Sequence, residues 1–276
     1  MKKNQKLAFI GCGNMGEAMI KGLLGKGFSQ KNIIAADADK KRLDYVKKTY
    51  SIETHLKNRE AVKKGDIIIL AVKPQVIDRV LQDIAGEIDQ SKLVISIAAG
   101  VSLKFIESFF KAKTRLIRVM PNTPALIQEG AAALSKGRNA AEEDLNAARD
   151  IFNAVSRTVV VDEKLMDAVT GLSGSGPAYV FTIAEALTDA GVRMGLSRDV
   201  SLELSYQTLL GSVKMLMETG EHPAKLRDMV TSPGGTTIAG LHVLEKEGLR
   251  GIIMNAVEAA TRRSRELGEI LGKKKA

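Results

Sequence analysis

The chain has 276 residues, 45% of them apolar and 26% charged, and its 41 basic against 32 acidic side chains give a formal net charge of +9. This length allows one or two domains with cores of their own. Its apolar runs are far shorter than the roughly 20 residues of a membrane-spanning helix, no signal-peptide pattern opens it, and its single cysteine excludes an internal disulfide. We therefore expect a cytoplasmic protein with no membrane partner.

The excess positive charge lies in the first part of the chain. Residues 1–162 hold 27 basic and 18 acidic side chains, whereas residues 163–276 hold 14 of each. Aromatic residues make up only 4% of the chain, which is too few for a surface on which nucleic-acid bases stack. We expect a solvated basic surface and no nucleic-acid partner.

Short β-rich runs alternate with amphipathic segments in the first half. The unbroken apolar run Ile67–Val72, within the segment Asp66–Val72, is typical of a strand covered on both faces. Alternation of strands and helices predicts a doubly wound parallel α/β sheet. We predict strands at Lys6–Ile10, Asn32–Ala36, Asp66–Val72, Leu93–Ala98, Arg115–Met120 and Thr158–Val161, and helices at Asp39–Tyr50 and Pro74–Ile88.

Strand signals stop after about Val161, and helical patterns follow at Leu165–Val169, Gly176–Ala190, Val200–Met217 and Gly251–Leu271. Apolar residues surround much of the circumference of these helices, more than a small bundle can hide. Burial against a second subunit is the natural outcome. The chain is therefore predicted to have an α/β domain over residues 1–162 and an all-α dimerisation and substrate-binding domain over residues 163–276.

A glycine-rich loop joins the first strand to the first helix. The order of glycines predicts a Rossmann-type dinucleotide site, because Gly11 permits a tight turn, Gly13 lets a pyrophosphate approach and Gly16 lets helix and strand pack closely. The helix then presents free N–H groups to the phosphates. Cys12 is expected to be a small packing residue. The loop reads Gly11-Cys12-Gly13-Asn14-Met15-Gly16, and we predict that all but Cys12 bind the cofactor.

The choice between NADH and NADPH depends on the end of the second strand. Asp37 lies 21 residues beyond Gly16, where an acid accepts hydrogen bonds from the ribose and repels a 2′-phosphate. Lys40, Lys41 and Arg42 follow at once and could pair with that phosphate. The residues leave both cofactors open and favour NADH slightly.

Further strand ends carry small residues and prolines, which would let the nicotinamide and its ribose lie close to the backbone. Strand-to-helix turns use the same residues for their geometry alone. The predicted contacts here are Ala71, Val72, Lys73 and Pro74 after one strand and Ala98, Ala99 and Gly100 after the next.

The chain shows no acid–base pattern. Its three histidines, His55, His222 and His242, stand in no catalytic or metal-binding arrangement, and no metal site is predicted. Oxidation of an alcohol needs a general base, whereas an imine nitrogen is already basic and can arrive protonated. Reduction of a C=N bond therefore fits this chain better than alcohol oxidation.

A second glycine-rich turn opens a helix in the last part of the chain. Ser232-Pro233-Gly234-Gly235-Thr236-Thr237 would direct several backbone N–H groups at one point, which suits a carboxylate. Capping of the helix by Ser or Thr is the simpler interpretation. The role of a third segment, Ser173–Pro177, stays open.

Two segments resemble a known family, Δ1-pyrroline-5-carboxylate reductase, and the resemblance runs almost end to end. They read DAVTGLSGSGPAY from Asp167 to Tyr179 and SPGGTT from Ser232 to Thr237. The resemblance includes FIGCGNM from Phe9, AVKP from Ala71, AAG from Ala98 and NAVEA from Asn255.

This resemblance implies NADPH- or NADH-dependent reduction of the cyclic imine 1-pyrroline-5-carboxylate to L-proline, the last step of proline biosynthesis. It also implies an interlocked homodimer, which commonly assembles further into a decamer. By analogy, the backbone around Gly234, Gly235 and Thr236, with Ser232, holds the substrate carboxylate. The hydroxyl of Thr237, as the catalytic residue, hydrogen-bonds the ring nitrogen.

The same resemblance adds Asn58 to the cofactor contacts. Asp37 departs from the family pattern, because members that use NADPH often have Ser or another small or basic residue near this position. The family's usual preference for NADPH is therefore in doubt for this chain.

Two other functions compete on the residues alone. A β-hydroxyacid dehydrogenase shares the opening glycine loop, but it needs a catalytic lysine for which Lys164 and Lys214 are poorly placed. A non-catalytic redox sensor would bind a dinucleotide but would leave Ser232–Thr237 unexplained.

Overall fold

The computed structural model describes residues 5–111 and 113–273 and contains one mainly parallel sheet. Its eight strands lie in the order β3-β2-β1-β4-β5-β6-β7-β8, and β6–β7 is its antiparallel pair. The order reverses between β1 and β4, as in doubly wound dinucleotide-binding sheets. The strands are β1 (Leu7–Ile10), β2 (Ile33–Ala36), β3 (Glu53–His55), β4 (Ile67–Leu70), β5 (Leu93–Ser96), β6 (Arg115–Pro121), β7 (Gly130–Lys136) and β8 (Ser156–Val160).

Helices connect the strands and then make up the rest of the chain. Short 3-10 turns lie at Gln30–Asn32, Pro74–Val76, Ala85–Glu87, Thr123–Ile127 and Glu163–Leu165, and one π-helical turn lies at Thr170–Gly174. The α-helices are α1 (Asn14–Gly25), α2 (Lys40–Tyr50), α3 (Asn58–Lys64), α4 (Ile77–Ile84), α5 (Leu103–Glu107), α6 (Glu142–Phe152), α7 (Met166–Val169), α8 (Gly176–Arg193), α9 (Arg198–Thr219), α10 (Pro223–Met229), α11 (Thr236–Lys246) and α12 (Leu249–Lys273).

The sheet has an apolar core on each of its faces. In β1, Leu7 and Phe9 pack into one core while Ala8 and Ile10 pack into the other, and all four are fully buried. This arrangement follows from the alternation of side chains along a strand. It explains why the central strands are continuous apolar runs in the sequence.

The described residues form two compact units. One contains those of Met1–Ser175 and Glu258–Ala276, and the other is Gly176–Val257. The first unit contains the sheet. The second is helical, and many of its large apolar side chains are exposed; on α9 these include Val200, Leu204, Leu210 and Val213. The sequence predicts a domain boundary at residue 162, and that boundary stays a prediction.

The predicted fold class is confirmed: a doubly wound α/β sheet precedes a helical region. All six predicted strands are present, and no end differs by more than two residues. The elements that the sequence did not predict are β3, β7, α3, α5, α6 and α10. Pro74–Ile88, predicted as one helix, is a helix flanked by two 3-10 turns. Within the described ranges, none of the helices is both long enough and apolar enough to span a bilayer.

Candidate functional site

The glycine loop has the geometry that a dinucleotide requires. Gly11 has a φ of +97°, and a Cβ there would lie 2.7 Å from the carbonyl oxygen of Ala71. At Gly16 a Cβ would lie 2.5 Å from the carbonyl oxygen of Gly11. A Cβ at Gly13, by contrast, would meet nothing within 4 Å, so the backbone is open to a ligand there. Gly13 caps α1 without a side-chain hydrogen bond, which leaves the first N–H groups of the helix available to an anion.

The loop is held in place by the end of β2. Asp37 is half-buried; its Oδ2 accepts a hydrogen bond from the N–H of Cys12 at 2.7 Å, and its Oδ1 accepts one from the N–H of Asp39 at 3.0 Å. Each carboxylate oxygen keeps a lone pair for a further donor. Asp37 therefore stands where the sequence placed it and also supports the loop.

Arg42 is directed towards this loop and α1. Its Nε donates to the carbonyl oxygen of Cys12, its guanidinium forms an ion pair with Glu17, and it lies 5.2 Å from the centre of the Tyr45 ring. Lys40 and Lys41 are exposed. Of the three basic residues that could read a 2′-phosphate, Arg42 is thus already engaged.

Glu17 is a polar centre that the sequence analysis missed. Besides Arg42 it accepts hydrogen bonds from the hydroxyls of Tyr45 at 3.0 Å and Tyr50 at 2.8 Å. Partial burial raises the pKa of Glu17, but these hydrogen bonds outweigh that effect and hold the pKa below its usual range. Burial and the bond to Glu17 raise the pKa of Tyr50 to about 12. The sequence gives little indication of this polar centre, because Glu17 on α1 meets the side chains of α2 only in the folded structure.

Cys12 is a packing residue, as predicted. Its side chain is fully buried, and its Sγ lies 3.7 Å from the carbonyl oxygen of Ala36. Burial first, and then the neighbouring Asp37 charge, raise the pKa of the thiol to about 12. A thiol in this environment is not a nucleophile at neutral pH.

The strand ends predicted to bind the cofactor meet at one edge of the sheet, because β1 to β6 are all parallel. Gly11–Gly16, Asp37, Ala71–Pro74 and Ala98–Gly100 follow four of these strands. Asn58 begins α3 just beyond β3, and its Nδ2 donates to Asp83 at 3.3 Å. Its Oδ1 is the atom left for a ligand.

Gly100 also has a structural role. It is buried, has a φ of +72°, and lies under the C-terminal part of α12. A Cβ at Gly268 of that helix would lie 2.7 Å from the carbonyl oxygen of Gly100. The small residues at Ala98–Gly100 are therefore explained in part by the close packing of α12 on Gly100.

In the second unit, the turn before α11 has an uncapped helix start. Gly234 has a φ of +66°, and Gly235 caps α11 without a side-chain hydrogen bond. The N–H of Gly235 donates to the carbonyl oxygen of Ser232 at 3.1 Å. The capping interpretation is therefore not what the structure shows. Among the described residues, the hydroxyls of Ser232, Thr236 and Thr237 form no hydrogen bond, in contrast to Thr231, whose hydroxyl donates to Arg227.

Two of the three histidines, His222 and His55, serve local structure. The Nδ1 of His222 accepts from the N–H of Ala224 at 3.2 Å and caps α10, while His55 lies between Glu53 and Glu60. Over the ranges that the structure covers, no three His, Cys, Asp or Glu side chains cluster as metal ligands do.

Comparison with known proteins identifies the family. Residues 163–267 match the family described as "Pyrroline-5-carboxylate reductase dimerisation", and residues 6–100 match "NADP oxidoreductase coenzyme F420-dependent". The pyrroline-5-carboxylate reductase of Methanosarcina acetivorans is 49% identical over 97% of this chain and 99% of its own.

Two solved structures agree. A pyrroline-5-carboxylate reductase from Coxiella burnetii has a TM-score of 0.89 at 37% identity, covering 96% of this chain and 98% of its own. The Plasmodium falciparum pyrroline carboxylate reductase with NADP bound has a TM-score of 0.88 at 37% identity, covering 97% of this chain and 100% of its own. The resemblance seen in the two sequence motifs is confirmed, and the chain belongs to the pyrroline-5-carboxylate reductase family.

Proposed function

We propose that the chain reduces 1-pyrroline-5-carboxylate to L-proline with NADPH or NADH, as the last step of proline biosynthesis. The observation that carries this proposal is the start of α11, which has no side-chain cap. The chain belongs to the family and also has a glycine loop that is open to a dinucleotide. Three hydroxyls that bond to none of the described residues, next to the amino end of a helix, suit a small anionic substrate. A redox sensor would leave this turn unexplained, and a dehydrogenase of hydroxy acids would need a catalytic lysine, for which Lys164 and Lys214 are poorly placed.

The residues at the sheet edge fit a dinucleotide. The empty space beside Gly13 accommodates a pyrophosphate, and the amino end of α1, at Asn14 and Met15, faces it with N–H groups. The remaining parts of the cofactor are held by Asn58, Ala71–Pro74 and Ala98–Gly100. When bound, NAD(P)H supplies the hydride.

The turn before α11 holds the substrate. The backbone around Gly234, Gly235 and Thr236 and the hydroxyl of Ser232 bind the carboxylate, because a helix amino end carries partial positive charge. Since the N–H of Gly235 donates within the turn, the N–H groups of Gly234 and Thr236 are the backbone donors. The oxygen of Thr237 accepts a hydrogen bond from the protonated ring nitrogen and so orients the imine carbon. No protein base is needed, since the nitrogen brings its own proton.

The position of Asp37 supports a preference for NADH. Its carboxylate is fixed at the end of β2 by two backbone N–H groups, where it meets the adenosine ribose hydroxyls and repels a 2′-phosphate. Arg42 is paired with Glu17 and is not free to compensate. Lys40 and Lys41 are the remaining cations nearby.

The second unit mediates assembly. Exposed apolar side chains on α9, among them Leu204 at 54% and Met217 at 53% exposure, would be covered in a homodimer. We expect a cytoplasmic homodimer, with the decamer as the next level of assembly. Sedimentation velocity at several protein concentrations distinguishes monomer, dimer and decamer.

The test of the reaction follows absorbance of the reduced nicotinamide with 1-pyrroline-5-carboxylate and each cofactor. Oxidation of either cofactor with formation of proline is expected, and its absence with both would overturn the proposed function. Thr237→Ala should lower kcat by about tenfold to a hundredfold with little change in cofactor KM. The control is Thr231→Val, which removes a hydroxyl already bonded to the backbone.

A further inference from the structure

A π-helical turn directly follows α7. Over Thr170–Gly174 the hydrogen-bond ladder widens, and the N–H of Ser175 donates to the carbonyl oxygen of Thr170 at 2.9 Å. Short π segments are rare and often lie at functional sites. This one contains the first two residues of Ser173–Pro177, for which the sequence analysis found no role.

One side chain fastens this turn to the sheet. Asn122 directly follows β6, and its Nδ2 donates to the carbonyl oxygen of Ser173 at 3.2 Å. Its Oδ1 accepts a hydrogen bond from the N–H of Ala131 in β7 at 2.8 Å. A single half-buried amide thus joins the end of β6, the start of β7 and a turn 51 residues away in sequence.

The packing beside this amide is close. A Cβ at Gly174 would lie 2.5 Å from the terminal methyl carbon of Met120, which is the sixth residue of β6. The π turn therefore rests directly on the carboxyl end of that strand.

The position of β6 relates the turn to the reaction. The strand is parallel to β5, so its carboxyl end lies at the edge that carries the glycine loop. Asp37 marks the ribose side of this edge, beyond β1. A dinucleotide that crosses the reversal point between β1 and β4 therefore places its nicotinamide towards β4, β5 and β6.

The turn brings unused polar groups to that end. Ser173 and Ser175 are half-buried, and their hydroxyls form no hydrogen bond to any residue that the structure describes. A hydroxyl both donates and accepts, which matches the donor and acceptor of the nicotinamide carboxamide.

We propose that Asn122 is a positioning residue for hydride transfer, because its amide fixes the π turn at the sheet edge where the nicotinamide binds. The inference rests on the proposed function. Loss of the bond to Ser173 should let the turn shift, and a misplacement of about 1 Å can cost up to about a hundredfold in rate. The adenosine end of the cofactor should bind as before.

Asn122→Asp tests this role. The aspartate still accepts from Ala131 but presents a carboxylate to the carbonyl of Ser173. We expect kcat to fall at least about tenfold, cofactor KM to change less than about threefold, and the affinity for ADP-ribose to stay unchanged. Asn139→Asp, the same change in the turn that follows β7 at the opposite edge of the sheet, should keep wild-type kinetics.

Two results would overturn the proposal. One is an unchanged kcat in Asn122→Asp, and the other is a parallel loss of kcat, cofactor affinity and melting temperature, which indicates a purely structural bond. If the aspartate variant does not fold, Asn122→Ser is measured in the same way and judged by the same comparison of kcat with cofactor KM.

A second measurement separates this inference from the proposed function. Fluorescence of bound NADH reports the nicotinamide environment without turnover, and it should change in Asn122→Asp but not in Asn139→Asp. Inactive wild-type protein would overturn the proposed function alone. An identical fluorescence spectrum in all three proteins would overturn the role of Asn122.

Discussion

Asp37 accepts a hydrogen bond from the backbone N–H of Cys12 at 2.7 Å, within the glycine loop that joins β1 to α1. Arg42 donates to the carbonyl oxygen of that same cysteine. Both polar backbone atoms of Cys12 are therefore held by the segment from the end of β2 to the start of α2. The segment proposed to select the cofactor thus also shapes the glycine loop.

The charge of Asp37 can be separated from its support of the loop. Asp37→Asn keeps an oxygen for the N–H of Cys12 but removes the negative charge. We expect the ratio of kcat/KM for NADPH to that for NADH to rise by about tenfold, because repulsion of the 2′-phosphate is lost. Steady-state kinetics with both cofactors measures the ratio, and the melting temperature serves as the control for the fold. An unchanged ratio would contradict the preference for NADH.

Arg42 should affect both cofactors alike. Arg42→Met removes the donor to Cys12 and the partner of Glu17, so we expect KM for NADH and for NADPH to rise by a similar factor, roughly threefold to tenfold. Lys41→Met is the comparison, since Lys41 is exposed. Selective loss of NADPH use in Arg42→Met would show instead that Arg42 reads the 2′-phosphate.

The residues of this candidate site that the sequence predicts are those that depend on local order along the chain. The three glycines, the acid at position 37 and the small residues after β4 and β5 are fixed by strand–turn–helix connections, which have recognisable residue patterns. The partners of Arg42 could not be predicted, because Glu17 lies on another helix and reaches α2 only through tertiary packing. The same is true of the contact between Gly100 and Gly268.

Physical reasons also explain why the sequence did not predict β3 and β7. β3 has only three residues and its side chains are half-buried or exposed, so it shows no apolar run. β7 begins Gly-Ala-Ala-Ala, and alanine and glycine have low β propensity. Its strand conformation depends on pairing with β6 and β8, which local sequence does not reveal.

Cys12 should resist modification in the folded protein. With burial raising its pKa to about 12, the thiolate fraction at pH 8 is only about one in ten thousand. We expect no reaction with Ellman's reagent over minutes at pH 8, and one equivalent of thiol after unfolding in guanidinium chloride. Rapid reaction of the native protein would show that the loop opens.

The contact between α12 and the sheet edge can be tested with two glycines of one helix. Gly268→Ala places a methyl group 2.7 Å from the carbonyl oxygen of Gly100, so we expect destabilisation of about 1–3 kcal/mol and weaker NAD(P)H binding. Gly272→Ala meets nothing within 4 Å and should be neutral or slightly stabilising. Urea unfolding at a fixed protein concentration measures both. Equal stability of the two variants would show that the backbones at Gly100 and Gly268 move apart without loss of unfolding free energy.

Glu17 predicts how stability depends on pH. Burial raises its pKa, but hydrogen bonds from Tyr50, Arg42 and Tyr45 lower it further, so the folded-state pKa lies below the unfolded value. The ionised carboxylate therefore contributes stability above the unfolded pKa of about 4.3, and this contribution is lost as the pH falls through the folded pKa.

Glu17→Gln isolates that contribution, because glutamine is nearly isosteric but does not ionise. At pH 7 the variant should be less stable than wild type by about 1–3 kcal/mol, since hydrogen bonds to a charged group are lost. As the pH falls below the unfolded-state pKa and through the lower folded-state pKa, wild-type Glu17 becomes protonated and the difference should shrink. Urea unfolding at pH 7, 5 and 3.5 follows the difference. A difference that stays constant with pH would mean that the network does not depend on the charge of Glu17.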